Sequence, residues 1–376
     1  MVTSMRKRRI LFNGAAFSMQ EHGGVSRYFC RLLENLHGIQ QLNIKLSLLV
    51  SNNLHLKEMG FTGSRYHSFL PNLDIRGKKY AIRTINKLDC MLRMLHDSFD
   101  IFHPTYYDPY FLAFIGNKPF VLTVFDMIHE LFPHSFLDHK VDKYKDECIK
   151  RAAKIIAISQ KTKDDIIRLK NVDPSRIAVI HLGPTFDQMR NDGYAIELKL
   201  PERYLLFVGT RTAYKNFDIL IRASKELTAK CKDLHVVCAG GGPFRQTEEE
   251  KMLRLGVRTR FVHIAVKNDY VLASLYRNAA AFVFPSLYEG FGLPILESFS
   301  CGCPIVLSNA SCFPEIAEDA AIYFDPADEQ DLVESIFQAL LDKKTVSTMI
   351  ERGKKRLGDF SWRKTAEKTK ELYLSL

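Results

Sequence analysis

Phe284-Pro-Ser-Leu-Tyr-Glu-Gly-Phe-Gly-Leu-Pro-Ile-Leu-Glu297 compresses a strand end, a turn and a helix start into one segment. The apolar run Ala281–Pro285 enters it and reads as a buried strand. Gly290 and Gly292 let the backbone turn and approach a ligand closely. Pro294 fits the first turn of a helix, where its missing N–H costs nothing. Glu289 then falls just before the helix N-terminus, and Glu297 within its first two turns. The unpaired N–H groups of a helix start attract anions. Amides for phosphate beside carboxylates for hydroxyls suit a nucleotide sugar. The same residue types also fit a capped helix with one solvated acid.

Working outward, the same rhythm recurs. Before the segment lie Tyr204–Val208 as a strand, Asp218–Leu227 as a helix, Leu234–Ala239 as a strand entering a glycine cluster, and the strand Phe261–Ile264. After it come Pro304–Leu307 and Ala321–Phe324. The N-terminal half repeats the pattern: Arg9–Asn13, the helical Ser26–Leu36, Ile44–Val50, Ile101–Phe102, Pro119–Val124, Lys154–Ser159 and the helical Lys161–Leu169. Short apolar runs alternating with amphipathic ones predict an α/β fold of parallel sheets covered by helices. The irregular, polar stretch Gly183–Leu200 separates the halves. We expect two Rossmann-like, doubly wound domains facing across a cleft, residues 1–198 and 199–358, with 359–376 as a C-terminal helix crossing back to the first. Ligands in such sheets bind beyond the carboxyl ends of the strands.

The chain has 376 residues, 53 Lys and Arg against 43 Asp and Glu, and a net charge of +10. Ordinary hydrophobic (46%) and charged (26%) content excludes a disordered chain. The longest stretch without charge, Ser298–Pro314, is broken by Gly, Pro, Ser and Asn and cannot be a membrane span. Arg6–Arg9 leads into a strand rather than a signal-peptide core, so the chain reads as cytoplasmic. Eight cysteines lack zinc-site spacing and read as reduced thiols. Residues 1–198 hold 28 basic and 20 acidic residues, against 25 and 23 in the remainder. The surplus therefore sits on one half. That placement and the absence of any recognised motif argue against a nucleic-acid partner.

With its Gly-Phe-Gly-Leu-Pro core, the opening segment resembles the Glu-x7-Glu motif of retaining family-4 glycosyltransferases, which have the GT-B fold. The resemblance implies that Glu289 contacts hydroxyls of the donor sugar and Glu297 the ribose, with Gly290, Phe291, Gly292 and Leu293 lining the donor site. Phe207-Val-Gly-Thr-Arg-Thr-Ala-Tyr-Lys-Asn216 is similar to the family's phosphate segment. There Arg211 and Lys215 offer a planar fork and a compact charge to a diphosphate. Fixed cations lower the barrier as negative charge grows on the leaving group. Glu21-His-Gly-Gly-Val-Ser-Arg-Tyr28 resembles the N-terminal glycine loop, which implies that Gly23 and Gly24 approach the donor phosphates. Ala239-Gly-Gly-Gly-Pro243 resembles the glycine cluster that shapes the nucleotide pocket.

The N-terminal half departs from that pattern. Where many relatives carry a His at a strand end, this chain has Phe125 followed by Asp126. Asp126 reads either as the group that receives the acceptor proton or binds the donor sugar, or as a helix cap. His103 reads either as an acceptor-cleft residue or as a structural one. No Asp-x-Asp pair occurs, so no catalytic metal is expected and cations with helix dipoles are left to neutralise the diphosphate. Arg76–Leu95 reads as a basic amphipathic helix. Lys78, Lys79, Arg83 and Lys87 would contact an anionic membrane on the inner face of the cell membrane, or else form a solvated face of a packed helix.

The resemblance implies a retaining transfer of a sugar from a nucleotide donor to a saccharide or lipid-linked glycan in polysaccharide synthesis. The departing phosphate would help to take the acceptor proton. The segments Thr210–Asn216 and Asp126–Pro133 look most like bacterial mannosyltransferases, which favours GDP-mannose as the co-substrate. Three alternatives stay open: a UDP-sugar donor, a sucrose- or trehalose-type synthase, and a non-catalytic nucleotide-sugar or membrane-binding module.

Overall fold

The computed structural model describes residues 6–58, 66–70, 73, 75–136, 140–186 and 199–376. Their contacts divide the chain into two compact units, Met1–Leu182 with Ser361–Leu376, and Gly183–Phe360. The boundary that the sequence suggests near residue 198 lies outside the described residues.

The first unit contains β1 (Arg8–Asn13), β2 (Leu42–Ser47), β3 (Ile101–His103), β4 (Val121–Val124), β5 (Lys154–Ala157) and β6 (Ile177–Val179). Every pairing is parallel, in the orders β2-β1-β3 and β4-β5-β6. A parallel bridge between Phe102 and Phe120 links the two sets. Continuous burial along β4, and of the last four residues of β1, is what strands covered on both faces require. The helix Gly24–Leu36 contributes Tyr28, Phe29, Leu32, Leu33 and Leu36, at helical spacing, to that cover.

The last helix, Trp362–Leu374, is capped by Ser361, whose Oγ accepts from the Lys364 amide at 3.1 Å. It belongs to the first unit. Trp362 meets the edge of Tyr28 at 6.0 Å, and Thr365 Oγ1 donates to the His181 carbonyl at 2.7 Å. Its deepest anchor is Tyr373, whose hydroxyl lies 2.5 Å from His103 Nδ1, while His103 Nε2 lies 3.0 Å from Thr123 Oγ1. His103 is 0% exposed and stacks on Phe12. Of its two sequence readings the geometry fits the structural one: both ring nitrogens bolt the last helix to the sheet, and none is left for an acceptor.

The second unit contains β7 (Arg203–Val208), β8 (Leu234–Ala239), β9 (Phe261–Ile264), β10 (Ala281–Phe284), β11 (Ile305–Ser308) and β12 (Ile322–Phe324). They form one parallel sheet in the order β12-β11-β10-β7-β8-β9. Chain direction across the sheet reverses between β7 and β10. The helices Glu329–Leu341 and Lys343–Leu357 complete this unit and went unread in the sequence. Among the described residues, no helix is long and apolar enough to cross a membrane.

Candidate active site

An open parallel sheet leaves a crevice beyond the carboxyl ends of the two strands where its order reverses. In the second unit those are β7 and β10. The loops they send out are Gly209–Asn216 and Pro285–Gly292, the two segments singled out in the sequence. The loops are tied together: the Leu287 amide donates to the Tyr214 carbonyl at 2.7 Å. One residue beyond Tyr214, the Lys215 ammonium donates to Glu289 Oε1 in a short ion pair. Ser286 Oγ donates to the same oxygen at 2.9 Å. A third loop, after β11, clamps the glutamate from behind. Ser311 Oγ accepts from the Glu289 amide at 3.0 Å and donates to the Glu289 carbonyl at 2.7 Å. Both charged side chains keep a little exposure, 14% for Lys215 and 12% for Glu289. A cation and a carboxylate are thus fixed side by side where a ligand of this sheet would sit.

The helix that follows, Leu293–Cys301, begins at Gly292, whose φ of +83° suits glycine. A Cβ there would press on Ile295 and Phe313, each at 3.1 Å. Phe291 is buried against Phe360, ring centres 5.8 Å apart, so its side chain anchors the turn and only its backbone is placed to line the site. Leu293 is half-buried at the first helical position. Glu297 lies in the second turn and is 7% exposed. Thr185 Oγ1 donates to its Oε1 at 2.8 Å and Tyr276 OH to its Oε2 at 3.0 Å. Burial, with the Glu297 charge beside it, pushes the Tyr276 hydroxyl well above its usual pKa and keeps it a donor. A carboxylate offers about four lone-pair positions, so two hydroxyl donors orient Glu297 without saturating it.

Arg211 is placed differently from Lys215. Its side chain is 2% exposed, and four of its N–H directions are engaged. Nε donates to Glu248 Oε2 at 3.1 Å, one terminal nitrogen to the Gly240 carbonyl at 3.3 Å, and the other to Gly242 and Pro243 carbonyls at 2.9 and 2.6 Å. Gly240, Gly241 and Gly242 all have positive φ, and a Cβ on Gly241 would lie 2.7 Å from the Gly209 carbonyl. The guanidinium therefore holds the glycine turn after β8 against the loop after β7. The sequence offered Arg211 to a diphosphate; the structure shows it spent on backbone carbonyls and on Glu248. Burial acts to raise the Glu248 carboxyl, but hydrogen bonds from Arg245 and Arg211 outweigh it and hold it below its usual range. Arg211→Met should cost about 3 kcal/mol, since it strips a buried carboxylate and three carbonyls of a partner. Chemical denaturation checks this. Motif reading missed Glu248, Ser286, Ser311 and Thr185, and the bond from Tyr276 to Glu297. Only Ser286 lies within the decisive segment.

Among the described residues, no group of three His, Cys, Asp or Glu side chains is placed to hold a metal ion. Two family models match the chain: Glycosyltransferase Family 4 over residues 22–185 and Glycosyl transferases group 1 over residues 194–356. The chain belongs to the family-4 glycosyltransferases. Among curated relatives it is 30% identical over 243 residues to O-antigen chain mannosyltransferase B of Escherichia coli, covering 62% of this chain and 63% of that one. It is 29% identical over 212 residues to O-antigen chain mannosyltransferase RfbU of Salmonella typhimurium, covering 56% and 57%. The chain thus spans less than two thirds of the length of these relatives. Two solved structures share its fold. Sucrose-phosphate synthase from Thermosynechococcus elongatus is 17% identical with a TM-score of 0.73, over 98% of this chain and 99% of that one. Anabaena HepE in complex with UDP and glucose is 16% identical with a TM-score of 0.73, over 98% and 100%. The fold is GT-B.

In the first unit of this family-4 chain, Gly23 precedes the helix Gly24–Leu36 in an extended conformation. A Cβ there would lie 2.5 Å from Gln20 Oε1, whereas Gly24 faces open space. Asp126 Oδ1 accepts from the Ile128 amide at 3.0 Å, which fits its capping reading and leaves its other oxygen outside that bond. Phe125 packs its half-buried ring on the edges of Tyr28 and Phe29, at 5.1 and 6.0 Å. An aromatic cluster thus surrounds Phe125. Beneath Asp126, Lys145 is 1% exposed, pairs with Glu130 Oε2 at 2.8 Å and donates to the Asp126 carbonyl at 3.2 Å. No local sequence signal marks that buried lysine.

The basic helix runs from Lys78 to His96. Its cations do not act alike. Lys78 Nζ donates to the Leu70 and Leu73 carbonyls at 2.7 and 3.0 Å, and Lys87 pairs with Asp108 at 3.4 Å. Lys79 and Arg83 are exposed. So are Leu88, Leu92 and Leu95, at helical spacing on the face turned away from the buried Ile82, Asn86, Cys90 and Met94.

Proposed function

We propose that the chain is a retaining, metal-independent hexosyltransferase that moves mannose from GDP-mannose to a saccharide or lipid-linked glycan of a surface polysaccharide. The Lys215–Glu289 pair at the strand-order reversal carries this reading. Lys215 is the cation for the donor diphosphate, Glu289 the acceptor of sugar hydroxyl protons, and Glu297 the ribose partner. Arg211 acts on the diphosphate only through the glycine turn it holds. Gly23, Gly24, Gly290, Gly292 and the backbone at Phe291 and Leu293 complete the donor-binding set. In the reaction the bond from the donor anomeric carbon to the diphosphate oxygen breaks. A bond from that carbon to the acceptor oxygen forms, and the acceptor proton passes to the departing phosphate. The names of the E. coli and Salmonella relatives favour mannose.

Nucleotide sugars should be ranked by thermal stabilisation, since a ligand that binds only the folded chain raises stability by mass action. GDP-mannose at about 100 times its Kd should add about 2.7 kcal/mol. A larger shift with UDP-glucose would move the reading to a UDP-sugar donor.

The exposed leucines of the helix Lys78–His96 support peripheral contact with a membrane, through insertion of Leu88, Leu92 and Leu95. Replacing the three leucines with serine should abolish co-sedimentation with vesicles containing phosphatidylglycerol. Unchanged co-sedimentation would remove the membrane from the account.

A further inference from the structure

We propose that Ser311 is a positioning residue that aims the free carboxylate oxygen of Glu289 at the donor sugar, a role that rests on the sugar contact proposed above for Glu289. The two oxygens of that carboxylate are unequally placed. Lys215 and Ser286 both donate to Oε1. Ser286 is itself set by Ser308, whose Oγ donates to the Ser286 carbonyl at 2.5 Å. Among the described residues no hydrogen bond engages Oε2. Ligand hydroxyls are therefore met by Oε2, and its position depends on the backbone from which the side chain leaves.

Ser311 holds that backbone. Its Oγ accepts from the Glu289 amide at 3.0 Å and donates to the Glu289 carbonyl at 2.7 Å. One hydroxyl thus spans both polar groups of a single residue and restrains the torsions on either side of its Cα. Cys312 Sγ, a weak donor, adds a bond to the same carbonyl at 3.2 Å. The loop that carries Ser311 is anchored elsewhere. The Asn309 amide donates to the Phe324 carbonyl at 2.7 Å, and the buried Phe313 ring lies 4.7 Å from that of Phe284. The hydroxyl therefore serves Glu289 rather than its own loop. Backbone conformation gives a second, independent indication. Ser311 has a φ of +57°, in the left-handed region, where a Cβ crowds the chain and glycine is at ease. A turn that only redirects the chain is better made with glycine. Serine here brings a hydroxyl at a local conformational cost, a combination that clusters at functional sites.

The test compares Ser311→Gly, Ser311→Ala and Glu289→Gln with the parent chain. Both changes at Ser311 remove the hydroxyl, and only glycine also removes the strain. Sugar release is followed from the nucleotide sugar that stabilises the chain most, GDP-mannose on the proposed function, and binding of its free nucleotide is followed by isothermal titration. Ser311→Gly and Ser311→Ala should each lower kcat by about tenfold or more, as expected when a contacting group is held less firmly. Nucleotide affinity should stay within about twofold of the parent, because Glu289 meets the sugar and not the nucleotide. Ser311→Gly should nevertheless have a higher urea midpoint than Ser311→Ala, since alanine keeps the strain. A residue that merely shaped its turn would give the opposite pattern, with glycine restoring both stability and turnover. Turnover by Ser311→Gly within about twofold of the parent would therefore overturn the positioning role. A fall in nucleotide affinity equal to the fall in kcat would overturn it too, since the whole loop would then have shifted. Glu289→Gln keeps the two failures apart. Its loss of turnover beside a fully active Ser311→Gly would remove the role of Ser311 alone, whereas parental turnover in Glu289→Gln would remove the sugar contact and the role of Ser311 together.

Discussion

Lys215→Ala should lower sugar transfer by about 10²–10³-fold, the usual cost of removing one placed group that stabilises charge developing in a transition state. Lys215 is held by the Leu287–Tyr214 backbone bond and by Glu289, so its ammonium is positioned before any donor arrives. That is where electrostatic catalysis gains most, because no reorganisation is needed as the diphosphate departs. The loss should fall mainly on kcat. The variant should stay folded, since Lys215 keeps 14% of its side chain exposed and Glu289 retains Ser286 and Ser311. Glu297→Gln should also impair transfer, chiefly by weakening donor binding. Here the conservative change matters: Glu297→Ala would leave the Thr185 and Tyr276 hydroxyls without their carboxylate, at about 1–3 kcal/mol for each buried group. Steady-state kinetics on the three variants, with far-UV circular dichroism as a folding control, make the comparison. A turnover within threefold (about 0.7 kcal/mol) of the parent in Lys215→Ala would remove the diphosphate role.

The second large effect is on stability. Burial pushes the His103 imidazole down to about 3 from its usual 6.5. The unfolded chain binds a proton near pH 6.5 that the folded chain refuses until about pH 3. Stability from this residue is therefore complete above pH 6.5 and falls as the pH drops, by about 1.4 kcal/mol per unit. Between pH 6.5 and 4.5 the loss is about 2–3 kcal/mol. Asp100 acts in another window. The Arg9 guanidinium holds its carboxyl at about 2, so its contribution is present above pH 3.8 and lost only below that. Urea denaturation at pH 6.5 and 4.5 should show the slope in the parent chain and lose it in His103→Gln. Parallel slopes in the two would show that His103 does not titrate as the structure requires.

These two residues also mark how much was readable in the sequence. Glu289 and Lys215 were legible because each sits in a strand–turn–helix segment whose glycines and proline fix the local path. The parallel sheet then brings adjacent strand ends together. The strands themselves were legible from unbroken apolar runs such as Leu234–Ala239 and Phe261–Ile264, and the errors were at their edges, as at Ile44–Val50 against the observed Leu42–Ser47. Arg211 and His103 were harder for one shared reason. A polar residue at a strand end looks the same in sequence whether it faces a ligand or a buried partner. For Arg211 the partners are the carbonyls of a glycine turn about 30 positions on, and for His103 a tyrosine 270 positions away. The basic stretch Arg76–Leu95 was legible as a helix, but not the division of its cations. That depended on Asp108 and the Leu70 and Leu73 carbonyls, which no helical periodicity encodes.

The central claim is that the second unit breaks a nucleotide–sugar bond with retention at the anomeric carbon. Proton NMR of GDP-mannose incubated with the protein alone tests it most directly, because slow hydrolysis reports the stereochemistry without an acceptor. The account predicts GDP and α-mannose as first products, with both signals lost in Lys215→Ala. Release of β-mannose first, or equal release by the variant, would contradict it.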